Sequence, residues 1–285
     1  MESTAAIIVL YNPSETILKI YEQIALQVDQ VIYIDNSDTK PQCIDALINR
    51  DKTVYHAMNG NEGLARGLRK GCEIAIRMGY RYALLLDQDT SIGEQTMVEK
   101  MSLLFQDKDV GLVCPNIKNY YYQDEKRILD DRAWYPQTVE DTAFAITSGS
   151  LIDLDVYSQL GGFDEHLFIM LIDQDYCANL MSHGYRIVRH GEVYIYQEFG
   201  YTKQHKFLNK TARDPNYSPR RYWYLFRNER YCRLKWKEQY AAQKVNLMKN
   251  YLIVALYGTS KLRKTQACIS GWMAGKRMYK EVSSQ

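Results

Sequence analysis

The chain opens on an uninterrupted run, Ala5 to Tyr11 (A-A-I-I-V-L-Y), rich in β-branched residues, which predicts a strand buried on both faces. Asn12-Pro13-Ser14 breaks it, and Ser14 with Ile17, Leu18, Tyr21, Ile24 and Ala25 predicts a capped amphipathic helix. Val31 to Ile34 reads as a second buried strand ending at Asp35-Asn36-Ser37. A short helix over Gln42 to Asn49 and a third strand over Thr53 to His56 follow. Gly60-Asn61-Glu62-Gly63 turns into a helix that reaches about Met78 and is closed by Gly79. Ala83 to Leu86 is a fourth strand that runs straight into Asp87-Gln88-Asp89. Strands alternating with helices predict a parallel sheet with right-handed crossovers, whose ligands gather at the carboxyl ends of the strands. Tyr11, Asp35 and Asp87 all stand at such ends.

The middle of the chain is less regular. Glu94 to Phe105 reads as a helix and Val110 to Cys114 as a strand, and residues 118–140, with Tyr120-Tyr121-Tyr122, as a surface loop. Phe144 to Ile152 reads as a strand interrupted by Ser148-Gly149-Ser150. Helices are expected at Asp155 to Leu160 and Asp173 to Ser182, and a strand pair at Tyr185 to Val188 and Val193 to Tyr196. From Ser218 on the pattern is mostly helical. The longest apolar run of note there, Tyr251 to Tyr257, falls far short of the ~20 residues that span a bilayer.

With 285 residues, 46% apolar and 25% charged, the chain suits one large globular domain with an appendage rather than a disordered segment. The net charge of +2 hides an asymmetry: residues 201–285 carry 19 Lys and Arg against 4 Asp and Glu, and residues 1–200 carry 17 against 30. The basic tail suits phosphates or an anionic lipid surface. Six widely spaced cysteines without a C-x-x-C pair give neither a zinc nor a disulfide framework and fit reduced thiols in the cytosol. No basic stretch precedes an apolar one at the start, so no secretory leader is expected.

Two carboxylates two residues apart beyond a buried strand, Asp87 and Asp89, can converge on a hard cation; the plainer reading is a turn and a helix cap. Phe163-Asp164-Glu165-His166-Leu167-Phe168-Ile169 leads through an apolar stretch to Asp173-Gln174-Asp175 at a helix start, with Asp175 as cap and Asp173 facing the cleft. The turn Asn61-Glu62-Gly63-Leu64-Ala65-Arg66-Gly67 can bring backbone amides close to a phosphate or ribose, although it matches neither the Walker nor the dinucleotide glycine pattern.

The ordered set A-I-I-V-L-Y-N, I-D-N-S, N-E-G-L-A-R-G, L-L-L-D-Q-D-T, S-G-S-L-I, G-G-F-D-E-H-L-F-I-M-L-I-D-Q-D-Y-C and R-Y-W-Y-L-F-R-N-E-R resembles the inverting family 2 glycosyltransferases, in particular their rhamnosyltransferase-like branch, over about residues 4 to 235. The resemblance implies an α/β GT-A fold with a mostly parallel central sheet flanked by helices. The catalytic domain would span 1–217, with a nucleotide-binding half over about 1–115 and an acceptor half over about 116–217, and a basic helical extension would cover 218–285. It further implies a nucleotide pocket at Tyr11 and Asp35 neighboured by Asn61 and Arg66, Asp87 on the ribose or sugar side, Asp89 on a Mg2+ or Mn2+ ion, Asp173 as catalytic base, and Arg227 and Asn228 closing over the donor. Similar proteins carry an acid before the base and a metal-binding His after the last strand. Here Ile172 and Gln197 stand in those places, so either Gln197 or His205 would supply the further ligand.

The implied function is transfer of a sugar, with rhamnose the first choice, from a deoxythymidine- or uridine-diphosphate donor to a glycan or lipid-linked acceptor in cell-surface polysaccharide (O-antigen) biosynthesis. The expected setting is cytoplasmic, with the inner face of the membrane as a candidate docking surface, and nucleic acid is not the expected partner. A sugar-nucleotide-binding scaffold of the same fold without catalysis is the rival reading. A nucleotidyltransferase is disfavoured because Tyr11-Asn12-Pro13-Ser14 lacks a Gly-rich basic loop.

Overall fold

The computed structural model describes residues 3–123, 126–129, 137–198, 203–207, 210–214 and 217–284; at 121–123, 126–127, 198, 203–207 and 210–214 it describes the backbone alone. The first half follows the expected alternation: β1 (Thr4–Leu10), α1 (Thr16–Ile24), β2 (Gln30–Asp35), α2 (Cys43–Ile48), β3 (Thr53–Ala57), α3 (Leu64–Arg77) and β4 (Tyr82–Asp87). Then come β5 (Ser91–Ile92), α4 (Met97–Ser102), β6 (Val110–Gln123), β7 (Lys126–Leu129), β8 (Val139–Asp141), β9 (Leu151–Asp153), α5 (Leu154–Gln159), α6 (Ile172–Ser182) and β10 (Arg186–Glu198). A hairpin of β11 (Lys203–Phe207) and β12 (Lys210–Asp214) precedes α7 (Pro219–Trp236), α8 (Leu247–Tyr257) and α9 (Lys261–Val282).

The main sheet has the order β3-β2-β1-β4-β9-β6-β10-β5. Strands β3, β2, β1 and β4 are mutually parallel, β9 lies antiparallel between β4 and β6, and β10 is parallel to β6. Period-two alternation divides β1 between two cores. Ala5, Ile7 and Val9 face the layer of α3 and α6, whereas Ala6, Ile8 and Leu10 face α1, α2 and α4. A run of seven residues that reads as one unbroken hydrophobic strand thus belongs to a sheet with helices on both sides.

Several local readings change. No Ser14 side-chain cap forms; α1 starts at Thr16, and Ser14 bonds the Thr16 hydroxyl instead. Part of the tyrosine-rich segment is sheet, because β6 continues to Gln123 and pairs with β7; residues 124, 125 and 130–136 lie outside the described residues. The expected strand pair after α6 is one strand, β10, with a register shift between His190 and Tyr194. Of the Phe144 to Ile152 segment, only Leu151 and Ile152 lie in a strand, β9.

The helical tail is built into the molecule. Tyr231 and Cys232 of α7 join the α3–α6 core, and a third cluster packs Tyr222, Leu225 and Phe226 of α7 on Val254 of α8, Cys268 of α9 and Leu171. Ser218 caps α7 by accepting from the Arg221 amide, with Pro219 at the first helical position. Glu229, fully buried, accepts from Arg233 Nε (2.7 Å), the Tyr240 hydroxyl (2.9 Å) and the Val245 amide (3.1 Å), which fixes the turn into α8. A Cβ at Gly275 of α9 would stand 2.2 Å from the Arg227 carbonyl oxygen, so only glycine lets the two helices touch there. Gly275→Ala therefore pushes α9 off α7, and we expect a loss of roughly 1–3 kcal/mol in urea melts, as overpacking usually costs; unchanged stability would contradict this contact.

Candidate active site

Because β2, β1 and β4 are parallel neighbours, their carboxyl ends share one rim. Asp35 is in register with Leu10, and Asp87 with Val9, so the two aspartates flank the end of β1 about 10 Å apart, two strand spacings. Tyr11 follows at the middle of this rim. Its amide donates to Gln88 Oε1 (2.8 Å) and its carbonyl accepts from Gln88 Nε2 (3.2 Å), which locks the β1 exit to the β4 exit. The Tyr11 residue is 46% exposed, leaving ring surface open at the mouth. Asp35 is buried; its carboxylate accepts from the Ser37 amide (2.9 Å) and the Tyr55 hydroxyl (2.8 Å), and each oxygen keeps a second lone pair for a ligand.

Asp87 and Asp89 lie at the β4 end of the rim. The Asp87 amide donates to the buried Ser148 hydroxyl (3.1 Å), and its carboxylate accepts from Gln197 Nε2 of β10 (2.7 Å). Burial first and the Asp89 charge second push the Asp87 carboxyl up to about 6, against the Gln197 hydrogen bond and the positive charge of Arg221. Arg221, in the first turn of α7, therefore reaches the field of this carboxylate although it stands far along the chain.

Asp173 sits in the first turn of α6, half-buried. Burial pushes its carboxyl up to about 7, the Asp87 charge adds to the shift, and its own backbone hydrogen bond opposes it. The residue before the helix, Leu171, is left-handed and gives no side-chain cap; Phe168, Met170 and Leu171 all have positive φ. Such backbone in non-glycine residues costs of order 1–3 kcal/mol each and persists only where the surroundings enforce it. The surroundings here are explicit. The Phe168 carbonyl accepts from the Leu64 (2.6 Å) and Ala65 (3.3 Å) amides at the start of α3. Asn228 Nδ2 donates to the carbonyls of Leu167, Ile169 and Met170 (2.8–2.9 Å), and Arg227 to those of His166 (2.6 Å) and Leu167 (3.0 Å). Gly63, at φ +91°, leaves the space, since a Cβ there would meet the Phe168 ring at 2.6 Å.

Asp175 is not the expected cap. It is buried, and its carboxylate accepts from Trp236 Nε1 (2.7 Å) and Lys235 Nζ (3.0 Å); the same lysine also donates to Asp164 (2.7 Å). One half-buried cation thus joins α7, α6 and the turn before it.

The structure thus gathers Tyr11, Asp35, Asp87, Asp89 and Gln197 on the sheet rim and couples Asp173 to Asp87. The remaining sequence-derived residues are engaged elsewhere. Asn61 Oδ1 accepts from the Gly63 amide (3.1 Å), and Arg66 pairs on the surface with Glu62 (2.7 Å) and Glu165 (3.3 Å). The first amides of α3 meet Phe168 rather than open space, and Arg227 and Asn228 hold the loop before Asp173. The His205 side chain lies outside the described residues. Sequence reasoning passed over Arg221, Lys235, Ser148 and Gln88. The Arg220-Arg221 pair beside Ser218-Pro219 is the one trace that pointed to a cationic helix start.

Among the described residues no three His, Cys, Asp or Glu side chains cluster as a metal cage. The oxygens present nevertheless suit a hard divalent ion. Asp87 and Asp89 repel each other, and Gln197 Oε1 is buried without a hydrogen-bond partner among the described residues. Mg2+ and its like are commonly held by one or two carboxylates and completed by substrate phosphates.

Residues 5–177 match the family described as Glycosyl transferase family 2. The chain is 24% identical over 233 residues to the dTDP-rhamnosyl transferase RfbF of Shigella flexneri, covering 78% of this chain and 77% of that one. It is 25% identical over 195 residues to the O-antigen chain rhamnosyltransferase WbaN of Salmonella anatum, covering 64% of this chain and 60% of that one. Among solved structures, GalNAc-T7 with UDP, GalNAc and Mn2+ superposes with a TM-score of 0.62 at 12% identity, over 100% of this chain and 57% of that one. Staphylococcus aureus TarS 1-349 in complex with UDP-GlcNAc does so with a TM-score of 0.61 at 12% identity, over 94% and 79%. These neighbours share the GT-A fold.

Raised carboxyls are stability statements. Asp173 binds its proton more tightly folded than unfolded, so it weakens the folded state above about pH 7, and the penalty fades as pH falls toward the unfolded value near 4. Asp173→Asn removes the charge, and we expect it to raise Tm by several degrees at about pH 8, on the order of 2–4 kcal/mol before screening, with the gain shrinking toward about pH 4.5. A lower Tm at the alkaline end would contradict the crowding of charge at this site.

Proposed function

The chain belongs to glycosyl transferase family 2, and from that premise we propose that it transfers rhamnose from a deoxythymidine-diphosphate donor to a hydroxyl of a glycan or lipid-linked acceptor in O-antigen synthesis. The names of the two curated relatives support the sugar, the nucleotide and the pathway. The observation that carries the chemistry is the coupling of Asp173 to Asp87: a carboxyl raised to about 7 faces the acidic rim where a nucleotide sugar would lie.

In this reading Tyr11 and Asp35 receive the nucleoside, the ring against the base and the carboxylate on its polar edge, with Asn61 and Arg66 at the border. Arg66 would first leave Glu62 and Glu165. Asp89, Asp87 and the Gln197 oxygen would hold a divalent ion, and Arg221 would add positive charge for the diphosphate from α7. Such an ion, when bound, stabilises negative charge on the leaving phosphate. Asp173 accepts the proton of the acceptor hydroxyl as its oxygen bonds the anomeric carbon; the bond to the diphosphate breaks, and its electron pair leaves on the phosphate oxygen. Attack opposite the leaving group inverts the anomeric centre. A base with a pKa close to 7 is half ionised near neutral pH and strong enough to take the proton, which is the compromise general-base catalysis favours. Arg227 and Asn228 act through the loop they hold, setting where Asp173 starts its helix.

Asp173→Asn should lower transfer by ~10²–10⁴ while leaving donor affinity within a fewfold of wild type, since a general base contributes to the chemical step. Asp89→Ala should abolish the Mn2+ dependence of dTDP-rhamnose binding by calorimetry. Near-normal turnover of the first variant removes Asp173 from the base role, and unchanged metal-dependent binding by the second removes Asp89 from the metal. Wild-type protein that binds the donor yet neither hydrolyses nor transfers it would favour the inactive scaffold.

A further inference from the structure

We propose that the outer face of the α8–α9 pair is a docking surface for an anionic membrane, a role separate from the transfer reaction. Six of the thirteen large apolar side chains exposed among the described residues lie on these two helices. On α8, Met248, Leu252 and Leu256 recur at intervals of four and form one row, while Ile253 and Val254 are buried. On α9, Lys264, Cys268, Gly271 and Gly275 are buried, and Leu262, Ile269 and Met273 stand off that stripe, Leu262 with 88% exposure.

The two helices run back along each other. At one end Met248 and Trp272 line one cavity of about 390 Å³ with Lys244; at the other, Lys261 Nζ donates to the Leu256 carbonyl (3.0 Å) across the turn. Met248, Leu252, Leu256 and Leu262 therefore lie along this pair from the cavity to the corner, and Trp272 beside Lys244 offers an amphipathic ring of the kind enriched at membrane interfaces.

Charge selects the occupant. Residues 239–280 contain eight Lys and Arg and no Asp or Glu. Lys244, Lys249, Lys261, Arg263, Lys276, Arg277 and Lys280 are exposed, whereas Lys264 is buried. A second copy presenting the same face would bring like charges together, which disfavours a dimer here. Apolar side chains ringed by cations on long stems suit the headgroup level of an anionic bilayer, where lysines extend to phosphates while the apolar row enters the acyl boundary. No helix among the described residues is long and apolar enough to cross a membrane, so the contact is lateral.

The test is co-sedimentation of the full chain with vesicles of phosphatidylcholine containing about 30 mol% phosphatidylglycerol, or none, at low salt and at about 0.5 M salt. The variants are Leu252→Ser/Leu256→Ser/Leu262→Ser and Lys249→Glu/Arg263→Glu/Lys276→Glu, each checked for an unchanged thermal melt. Wild type should bind the anionic vesicles only, weaken sharply in high salt, and lose at least tenfold in affinity with either variant, since one juxtamembrane cation contributes about fivefold. Three results overturn the proposal: equal binding to neutral vesicles, no binding by wild type, or variants that bind as wild type does. A wild-type dimer in sedimentation equilibrium that the leucine variant converts to monomer would assign the face to a second copy instead.

Discussion

Negative charge held against its own repulsion is the constraint around which this molecule is arranged. Two strand ends and one helix start bring Asp35, Asp87, Asp89 and Asp173 toward a common rim, and burial and mutual repulsion raise both Asp87 and Asp173 above the usual carboxylate range. Such an arrangement costs free energy unless positive charge offsets it, which is the premise of the proposed cation and nucleotide-sugar site. The parallel sheet tolerates it because its strands are locked by apolar contacts on both faces, leaving the rim free to be strained.

The strain is concentrated before α6, and its restraints come from the opposite end of the chain. Asn228 satisfies three carbonyls of the loop, Arg227 shares that of Leu167 and adds that of His166, and Lys235 links Asp164 to Asp175. A half-buried cation shared by two carboxylates contributes little net stability compared with apolar packing, but losing it leaves the buried Asp175 charge bare, so the arrangement enforces one geometry. The helix α7 accordingly braces the candidate site as well as starting the basic tail. Its Arg221 reaches the field of Asp87, so the two halves of the sequence meet at this carboxylate.

The rim was legible in the sequence because it follows from local rules. Strands buried on both faces are written as continuous apolar runs, and an aspartate directly after such a run must stand at a strand end, which located Asp35 and Asp87. What escaped reading depends on contacts between distant segments. The Tyr120 to Tyr122 stretch looks like a loop because its strand alternates poorly, yet it pairs with β10 and β7. Asp175 looked like a cap because caps are the commonest use of a carboxylate at that place; only Lys235 and Trp236, distant in sequence, make it an ion-pair member. The turn at Gly63 looked like a phosphate cradle, but the Phe168 carbonyl occupies its amides. Nothing local to α3 could have shown that.

The central claim, that Asp87 and Asp173 share one electrostatic environment, is tested most directly by following the side-chain carboxyl carbon of Asp173 through a pH titration by NMR. The metal-free wild-type protein and Asp87→Asn are compared. The account predicts that Asp173 titrates near 7 in wild type and at a lower pH once the neighbouring charge is gone. An Asp173 that titrates near 4 in wild type, or identically in both proteins, would contradict it.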